Sequence, residues 1–447
     1  MSNEAKTTLG ESGIYDAKTL GVPKVLLLGL QHMFAMFGAT ILVPMLTGLD
    51  VSTTLLFAGL GTLLFHLLTK CKVPAFLGSS FAFLGGYAAI TGLVGTEAAG
   101  SLTEAQLLPY ACFGVACAGL VYLILAFLIK VFGTKKVMQF FPPVVTGPII
   151  IAIGLTLSQT AVDSCSSDWL IALIAIVLVV VCNIWGKGMV KIVPIIIGVL
   201  GSYIVAAVLG RVDFSGVASA AWVGFPIHYE STVFWAFADG NTSLLITSLI
   251  TIMPIALATI VEHIGDISAI SSTVGQNFIE EPGLHRTLLG DGLATVLASL
   301  FGAPANTTYG ENTGVLSLTK VFDPLVIRLA AVFAIIFSFC PKFAAIIGAM
   351  PTATVGGVSL VLYGMISAVG VRNVVEARVD FAKSRNVIIA ALILVLSIGV
   401  KYSATGAISF AIGSMTISFS GIAVGALVGI ILNAVLPGKD YVFEQGK

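Results

Sequence analysis

Runs of about 20 mostly apolar residues, the length a helix needs to cross a hydrocarbon core about 30 Å thick, recur from Val25 almost to the C-terminus. This recurrence constrains the fold more than any other feature of the chain. With 57% hydrophobic and 10% charged residues among 447, against roughly 25% charged in ordinary soluble domains, the apolar surface exceeds what a water-soluble core can hide. The chain reads as an all-α polytopic membrane protein with no room for a soluble domain. Residues 1–23 are polar and lack the apolar h-region and cleavage site of a signal peptide, so they are expected to form a short tail.

The apolar segments begin near Val25, Thr53, Ala75, Leu107, Val137, Leu170, Lys191, Ser243, Thr287, Gly314, Pro324, Thr354, Asn386 and Ala407, which makes fourteen. With the N-terminus inside, 19 of the 22 Lys and Arg residues fall on the inner side, and only Arg211, Lys342 and Lys401 fall outside. Positive loops stay cytoplasmic, so both termini are expected in the cytoplasm. Fourteen spans divide into two seven-span halves of opposite orientation, an inverted repeat. Short echoes agree: Gly198 and Gly425 each precede an Ala-Val-Leu by nine residues, and Pro142 and Pro351 each precede a glycine by five.

Two segments in matching positions are interrupted. The third contains Pro74, Gly78-Ser79-Ser80 and Gly85-Gly86. The tenth opens with GAPANTTYGENTGV, residues 302–315, and meets Lys320 and Asp323-Pro324 soon after Gly314. Non-helical backbone at membrane depth survives only where it is buried or lines a cavity. Paired broken segments therefore point to a solute site near the midplane.

Of 22 acidic residues, only Glu262, Asp266, Asp291 and Glu311 fall well inside the spans, where an ionisable group costs roughly 2.5 to 3.5 kcal/mol even on insertion scales. Glu262 and Asp266 lie one helical turn apart in IVEHIGDISAI, on one face. Two neighbouring carboxylates in low dielectric disfavour joint ionisation, which suits a proton carrier. Glu311 follows Gly310 in the interrupted segment, without a basic neighbour. Structural alternatives stand beside each: an interhelical hydrogen bond for Glu262, a partner such as Arg286 for Asp266, and buried partners among backbone or hydroxyl groups for Asp291. His32, in GLQHMFAMFGAT, is either an interhelical bonder or a proton-handling group. His263 points about 100° away from Glu262 on its helix and reads as structural.

No His or Cys spacing suits zinc, and no metal, cofactor or catalytic group is expected. The six cysteines, Cys71, Cys112, Cys117, Cys165, Cys182 and Cys340, form no C-x-x-C pair and read as inert, buried residues. A net charge of zero gives no sign of nucleic acid. Carboxylates that accept from N–H donors, backbone N–H groups at short helix starts, and the rings of Phe81 and Tyr309 match a neutral planar solute bearing both N–H and C=O.

QHMFAMFGATILVP in the first span, FLGSSFAF in the third, EHIGD in the eighth and GAPANTTYGENTGV in the tenth resemble the uracil permease branch of the nucleobase–ascorbate transporter family, over residues 20 to 437. The resemblance implies fourteen spans in two inverted seven-span repeats, with short β-strands in spans 3 and 10. It implies a core domain of residues 24–136 and 243–350, a gate domain of residues 137–210 and 351–437, an external connection at 211–242, and tails at 1–23 and 438–447. Carried over by motif, Glu262 and Glu311 bind the uracil ring, Phe81 and Tyr309 flank it, and Gly310 offers main-chain contacts. The purine branch typically has Gln at the place of Glu311. Some uracil permeases carry His where this chain has Asp266, so the resemblance does not carry over the details of coupling at this position.

The expectation is a uracil:proton symporter of the bacterial cytoplasmic (inner) membrane, driven by the proton gradient and working by alternating access. Proton coupling falls to Glu262, Asp266, Glu311 and His32, and the family implies a homodimer through the gate domain, in contact with membrane lipid. The alternatives are a purine or xanthine symporter, or an anion transporter of the same inverted-repeat fold; the latter calls for a basic residue between the broken spans, and none is present. An intramembrane enzyme would need a nucleophile with a base, or metal ligands, which the motifs do not supply.

Overall fold

The computed structural model of the protein describes residues 13–187, 190, 193–412 and 415–438, without the side chains of residues 37–39, 311, 318, 411–412 and 415–418. The chain runs through α1 (Val22–Thr47), α2 (Val51–Leu68), β1 (Leu77–Ser79), α3 (Leu84–Thr91), α4 (Glu104–Phe132), α5 (Thr134–Met138), α6 (Pro143–Ser166), α7 (Trp169–Trp185) and α8 (Pro194–Val208). After a connection holding two short helices, Ser215–Ser219 and Val233–Asp239, come α9 (Thr242–Ile252), α10 (Ala256–Val274), α11 (Leu284–Leu300), β2 (Asn306–Thr308), α12 (Glu311–Thr319), α13 (Pro324–Ser338) and α14 (Pro341–Gly348). The chain continues with α15 (Thr352–Glu376), α16 (Ser384–Lys401), the strands β3 (Ala407–Ile412) and β4 (Met415–Ser420), and α17 (Gly421–Val435).

Local chemistry sets the boundaries. Asp50, Thr103, Asp168, Asn241, Asp323 and Ser420 accept hydrogen bonds from otherwise unsatisfied first-turn N–H groups. Pro143, Pro194 and Pro324 open their helices, where a missing N–H costs nothing.

Among the described residues, seven helices are long and apolar enough to cross a membrane, or eight if α13 and α14, bent by 88°, count as one span. The stretch Phe81–Thr91 and helices α7, α8 and α17 are shorter apolar helices. Apolar segments that look alike in sequence therefore fold into long helices, short helices and strands. The last one departs most from expectation: Ala407–Ile412 and Met415–Ser420 pair as antiparallel strands, Ala407 opposite Ser420, and the helix starts only at Gly421. AISFAI and MTISFS alternate with a period of two and are rich in β-branched and aromatic residues, a strand pattern hidden in an apolar run. Residues 13–20, expected as part of a free tail, are docked against the protein, with Ile14 and Ala17 buried.

The helices pack in two groups. Helices α1, α2, α4, α11 and α13 lie against one another, and α6, α7, α8, α15, α16 and α17 form the other set; α10 lies between them, touching both α4 and α6. Glycine allows the closest approaches. A Cβ at Gly119 of α4 would sit 2.9 Å from the Gly292 carbonyl of α11, and one at Gly292 would sit 2.8 Å from the Gly119 carbonyl. The same reciprocal contact joins Gly147 of α6 to Gly370 of α15, at 3.1 and 2.7 Å. Where lipid is as apolar as leucine, such backbone-to-backbone packing drives helix association.

Strands β1 and β2 pair antiparallel at the centre, with Leu77, Gly78 and Ser79 opposite Thr308, Thr307 and Asn306. Ser80 N donates to Ala305 O at 3.0 Å and Tyr309 N to Phe76 O at 2.9 Å, extending the pairing at both ends. Each strand satisfies backbone groups that a broken span would otherwise leave bare in the membrane. Short helices follow directly, beginning at Phe81 and at Glu311. Because the strands are antiparallel, the two helices leave in opposite directions and their N-termini face the same central region.

Candidate functional site

The strand pair is held from several sides. Thr62 Oγ1 accepts from Leu77 N at 2.9 Å, and Asn306 Nδ2 donates to Phe57 O at 2.7 Å, both from α2. Thr295 Oγ1 of α11 donates to Asn306 O at 2.9 Å. Asp291, also on α11, accepts from both Thr308 N and Thr308 Oγ1 at 2.8 Å. His263 completes this cluster: its Nδ1 lies 3.1 Å from Thr308 Oγ1 and 3.2 Å from Asp291 Oδ2, and its Nε2 lies 3.0 Å from Thr287 Oγ1. Asp291 and His263 are thus fully enclosed groups that fix β2, which matches their structural reading.

On another face of α10, Glu262 and Asp266 line a cavity of about 820 Å³, within the size range of small-molecule sites. One wall is made of Ala35, Ser80, Phe81, Thr307, Tyr309 and Gly310. The opposite wall carries Thr146 and Ile150 of α6 with Met365, Asn373 and Glu376 of α15. Arg372, toward the end of α15, is its one cation among the described residues. Phe81 and Tyr309 are both 5% exposed, so their rings are placed by packing rather than free to swing. Tyr309 OH donates to Ser79 O at 2.9 Å, tying the ring across the strand pair.

Gly310 is required by space and not by backbone freedom, since its φ of −67° suits any residue. A Cβ there would stand 2.7 Å from Asp266 Oδ1. The Asp266 carboxylate therefore lies against the break in the tenth segment, while Arg286 Nη1 donates to Leu68 O at 3.0 Å. Glu311 is the first residue of α12, and its side chain lies outside the described residues. His32 is fully buried on α1 beside Asn312 and does not line the cavity. Of the seven site residues expected from sequence, Glu262, Asp266, Phe81, Tyr309 and Gly310 converge on the cavity.

A smaller cavity of about 180 Å³ lies on the far side of Phe81, lined by Leu46, Thr47, Tyr87, Glu104, Lys401 and Gly421 among others. Between the two, the Phe81 ring meets Tyr363 of α15 edge-on at 5.3 Å. The residues of the opposite wall, on α6 and α15, were not found from sequence. The matched Pro-to-Gly spacings at Pro142 and Pro351 mark the starts of those two helices, yet give no sign of which side chains face a solute. Four of the six cysteines are buried as expected, whereas Cys71 is exposed and Cys340 half-buried.

A family model described as a permease family, Xan_ur_permease, matches residues 23–406. The chain belongs to this family. It is 42% identical over 441 residues to the uracil permease of Bacillus caldolyticus, covering 97% of this chain and 96% of that one. To the uracil permease of Bacillus subtilis (strain 168) it is 40% identical over 421 residues, 91% of each. To the putative pyrimidine permease RutG of Escherichia coli K12 it is 36% identical, over 98% and 95% of the two chains. Among solved structures it resembles the transmembrane domain of the bicarbonate transporter BicA, with TM-score 0.59 and 14% identity, over 95% of this chain and 99% of that one. It also resembles SLC26A9, with TM-score 0.64 and 14% identity, over 94% and 66%. These last two show the fold alone. The permease is a multi-pass membrane transporter, not an enzyme.

Proposed function

We propose that this permease imports uracil by proton symport across the bacterial cytoplasmic membrane, with both termini inside. The observation that carries the reading is the convergence of Glu262, Asp266, Phe81, Tyr309 and Gly310 on one cavity, at the point where two half-helices begin. Glu262 and Glu311 accept from the two ring N–H groups, and main-chain N–H at the α12 start donates to a ring carbonyl. Phe81 and Tyr309 cover the faces of the ring. A proton shared between Glu262 and Asp266 takes the pair from two negative charges to one and hydrogen-bonds the remaining charge, so that the site crosses the dry region with less bare charge.

The two helix groups act as a core (residues 24–136 and 243–350) and a gate (137–210 and 351–437) in two inverted seven-span repeats, with residues 211–242 as the external connection. The core moves against the gate in alternating access, and two copies associate through the gate. The large cavity reaches Arg372 and Glu376 at the far end of α15 and the Phe81 ring meets Tyr363 at its other end, which supports an inward-open reading with both termini inside. An anion as cargo is disfavoured by Arg372 being the cavity's one cation among the described residues, at the mouth rather than beside the half-helices.

Purified protein in liposomes, given an inward proton gradient and labelled uracil, is expected to accumulate uracil and to lose accumulation with a protonophore. Equilibration without accumulation would leave a facilitator and remove the symport step. No uracil signal, with uptake of a purine or bicarbonate instead, would overturn the substrate. Glu311→Ala should abolish uracil binding in a folded protein, and wild-type affinity in that variant would remove Glu311 from the site.

A further inference from the structure

The segment Gly13–Leu20 crosses the inner ends of the helices that carry the site. Ile14 N donates to Lys320 O and Phe322 N donates to Ile14 O, both at 2.8 Å, forming a parallel bridge between Ile14 and Val321. Tyr15 OH donates to Val274 O, at the last residue of α10, at 2.7 Å. Ala17 N donates to Asp323 Oδ2 at 2.8 Å, where Asp323 also caps α13. The Tyr15 and Phe322 rings lie 5.4 Å apart. Ile14, Ala17, Leu20, Val321 and Val326 form a small apolar cluster of their own beneath this crossing.

Helix α10 bears Glu262 and Asp266, and α12 bears Gly310 and Glu311 at its other end. The exit of α12 is an uncommon turn: Lys320 has φ +53°, the left-handed region that L side chains rarely adopt. Its carbonyl is the group that Ile14 engages. Nine residues of α-helix are only about 13 to 14 Å long, so a shift at the inner end of α12 is carried as a rigid body to the Gly310–Glu311 end.

We propose that Gly13–Leu20 is a positioning strap that sets the spacing between α10 and α12, so that strap docking and uracil binding stabilise each other. This rests on the uracil reading, in which one small ring bridges the two helices. A solute gripped from two sides is sensitive to displacements on the order of 1 Å. Coupling between two binding events is reciprocal: if the docked strap favours uracil, then uracil must favour the docked strap. A strap that only stabilised the fold would lower thermal stability when removed and would not respond to uracil.

The test uses full-length purified protein with uracil as the probe. Residues 13–20 are replaced by a Gly-Ser sequence of equal length, and separately Tyr15→Phe removes the hydroxyl while keeping the ring on Phe322. Uracil Kd is measured by calorimetry, and amide exchange at Ile14 and Phe322 is followed with and without uracil. We expect Kd to rise about fivefold for Tyr15→Phe, the size of one hydrogen bond, and further for the replacement. Saturating uracil should slow exchange at both amides in the wild type. Should the replacement not fold, Tyr15→Phe and the wild-type exchange decide the matter. Wild-type uracil binding with unchanged Kd in the variants and no protection of the strap overturns the strap. No uracil binding by the wild type overturns the substrate reading, and this coupling with it.

Discussion

Gly310 and Asp266 show how one missing Cβ shapes a site. Gly310→Ala places a methyl 2.7 Å from Asp266 Oδ1, closer than real Cβ contacts come. Because the clash is with the tip of a flexible side chain, the protein should fold with the carboxylate turned aside. We expect uracil Kd to rise at least about tenfold, equivalent to about 1.4 kcal/mol, with little change in Tm; calorimetry beside thermal unfolding in detergent checks both. Thr308→Val should behave in the opposite way. It deletes the hydroxyl donor to Asp291 and leaves a buried carboxylate short of a partner, costing about 1–3 kcal/mol, so the thermal midpoint should fall. Much of this chemistry was legible in the sequence, because a carboxylate in a membrane span demands a partner or a job. What was not legible is which of the two each one has. Asp291 and Asp266 look alike as letters, and only the fold puts Thr308 against one and Gly310 against the other. His32 was given a place in proton handling by its position, and the fold seats it, fully buried, beside Asn312.

At the level of elements, apolar length alone could not separate crossing helices from half-helices and strands. The break in the tenth segment was visible from its Gly, Pro, Asn and Thr residues, as was that of the third. The strand pair of 407–412 with 415–420 was not, since its strands alternate within residues that a hydropathy window averages. Helix contact through glycine gives a prediction at this scale. Gly147→Val pushes a branched side chain onto the Gly370 carbonyl of α15, and Gly119→Val does the same to Gly292 of α11. Each should lower stability by about 1–3 kcal/mol, read as reduced Tm, while a valine at Gly364, which has open space around it, should not. At the exposed surface, Lys72 pairs with Glu281, and this hydrogen bond and charge hold the Glu281 carboxyl below its usual range. A lowered folded-state pKa stabilises above the ordinary glutamate range, near 4.3, and that contribution disappears as pH falls through the lowered value. Lys72→Ala should therefore flatten the acid limb of a stability–pH curve slightly and leave the neutral region almost unchanged, the pair being exposed.

For the molecule as a whole, the unequal cavities on the two sides of Phe81 predict an asymmetric response to water-borne reagents. Ser272, exposed and lining the large cavity, should as Ser272→Cys react with a membrane-impermeant thiol reagent added on the cytoplasmic side. Thr91→Cys, beside the small cavity, should react slowly and only from outside. Native Cys71 and Cys340 are accessible and are first changed to alanine. Fast labelling of Ser272→Cys from outside would reverse the proposed orientation. The division into two helix groups came from the family resemblance and not from composition or periodicity, because which helices adjoin depends on contacts between residues far apart in the chain.

The antiparallel pair β1–β2 also has a consequence for how the chain is made. Tyr309 OH reaches Ser79 O across 230 residues of sequence, and the strands around them complete each other's backbone. At ribosomal rates of about 5 to 20 residues per second, β1 waits on the order of ten seconds or more after synthesis before β2 exists. During that interval the third segment has entered the translocon with its peptide groups unpaired. It must be sheltered at the water interface or by the insertion machinery, and it reaches its final depth only when the second half arrives. Biogenesis of this permease is therefore obligately late: the first half, released alone, has no way to finish its own centre.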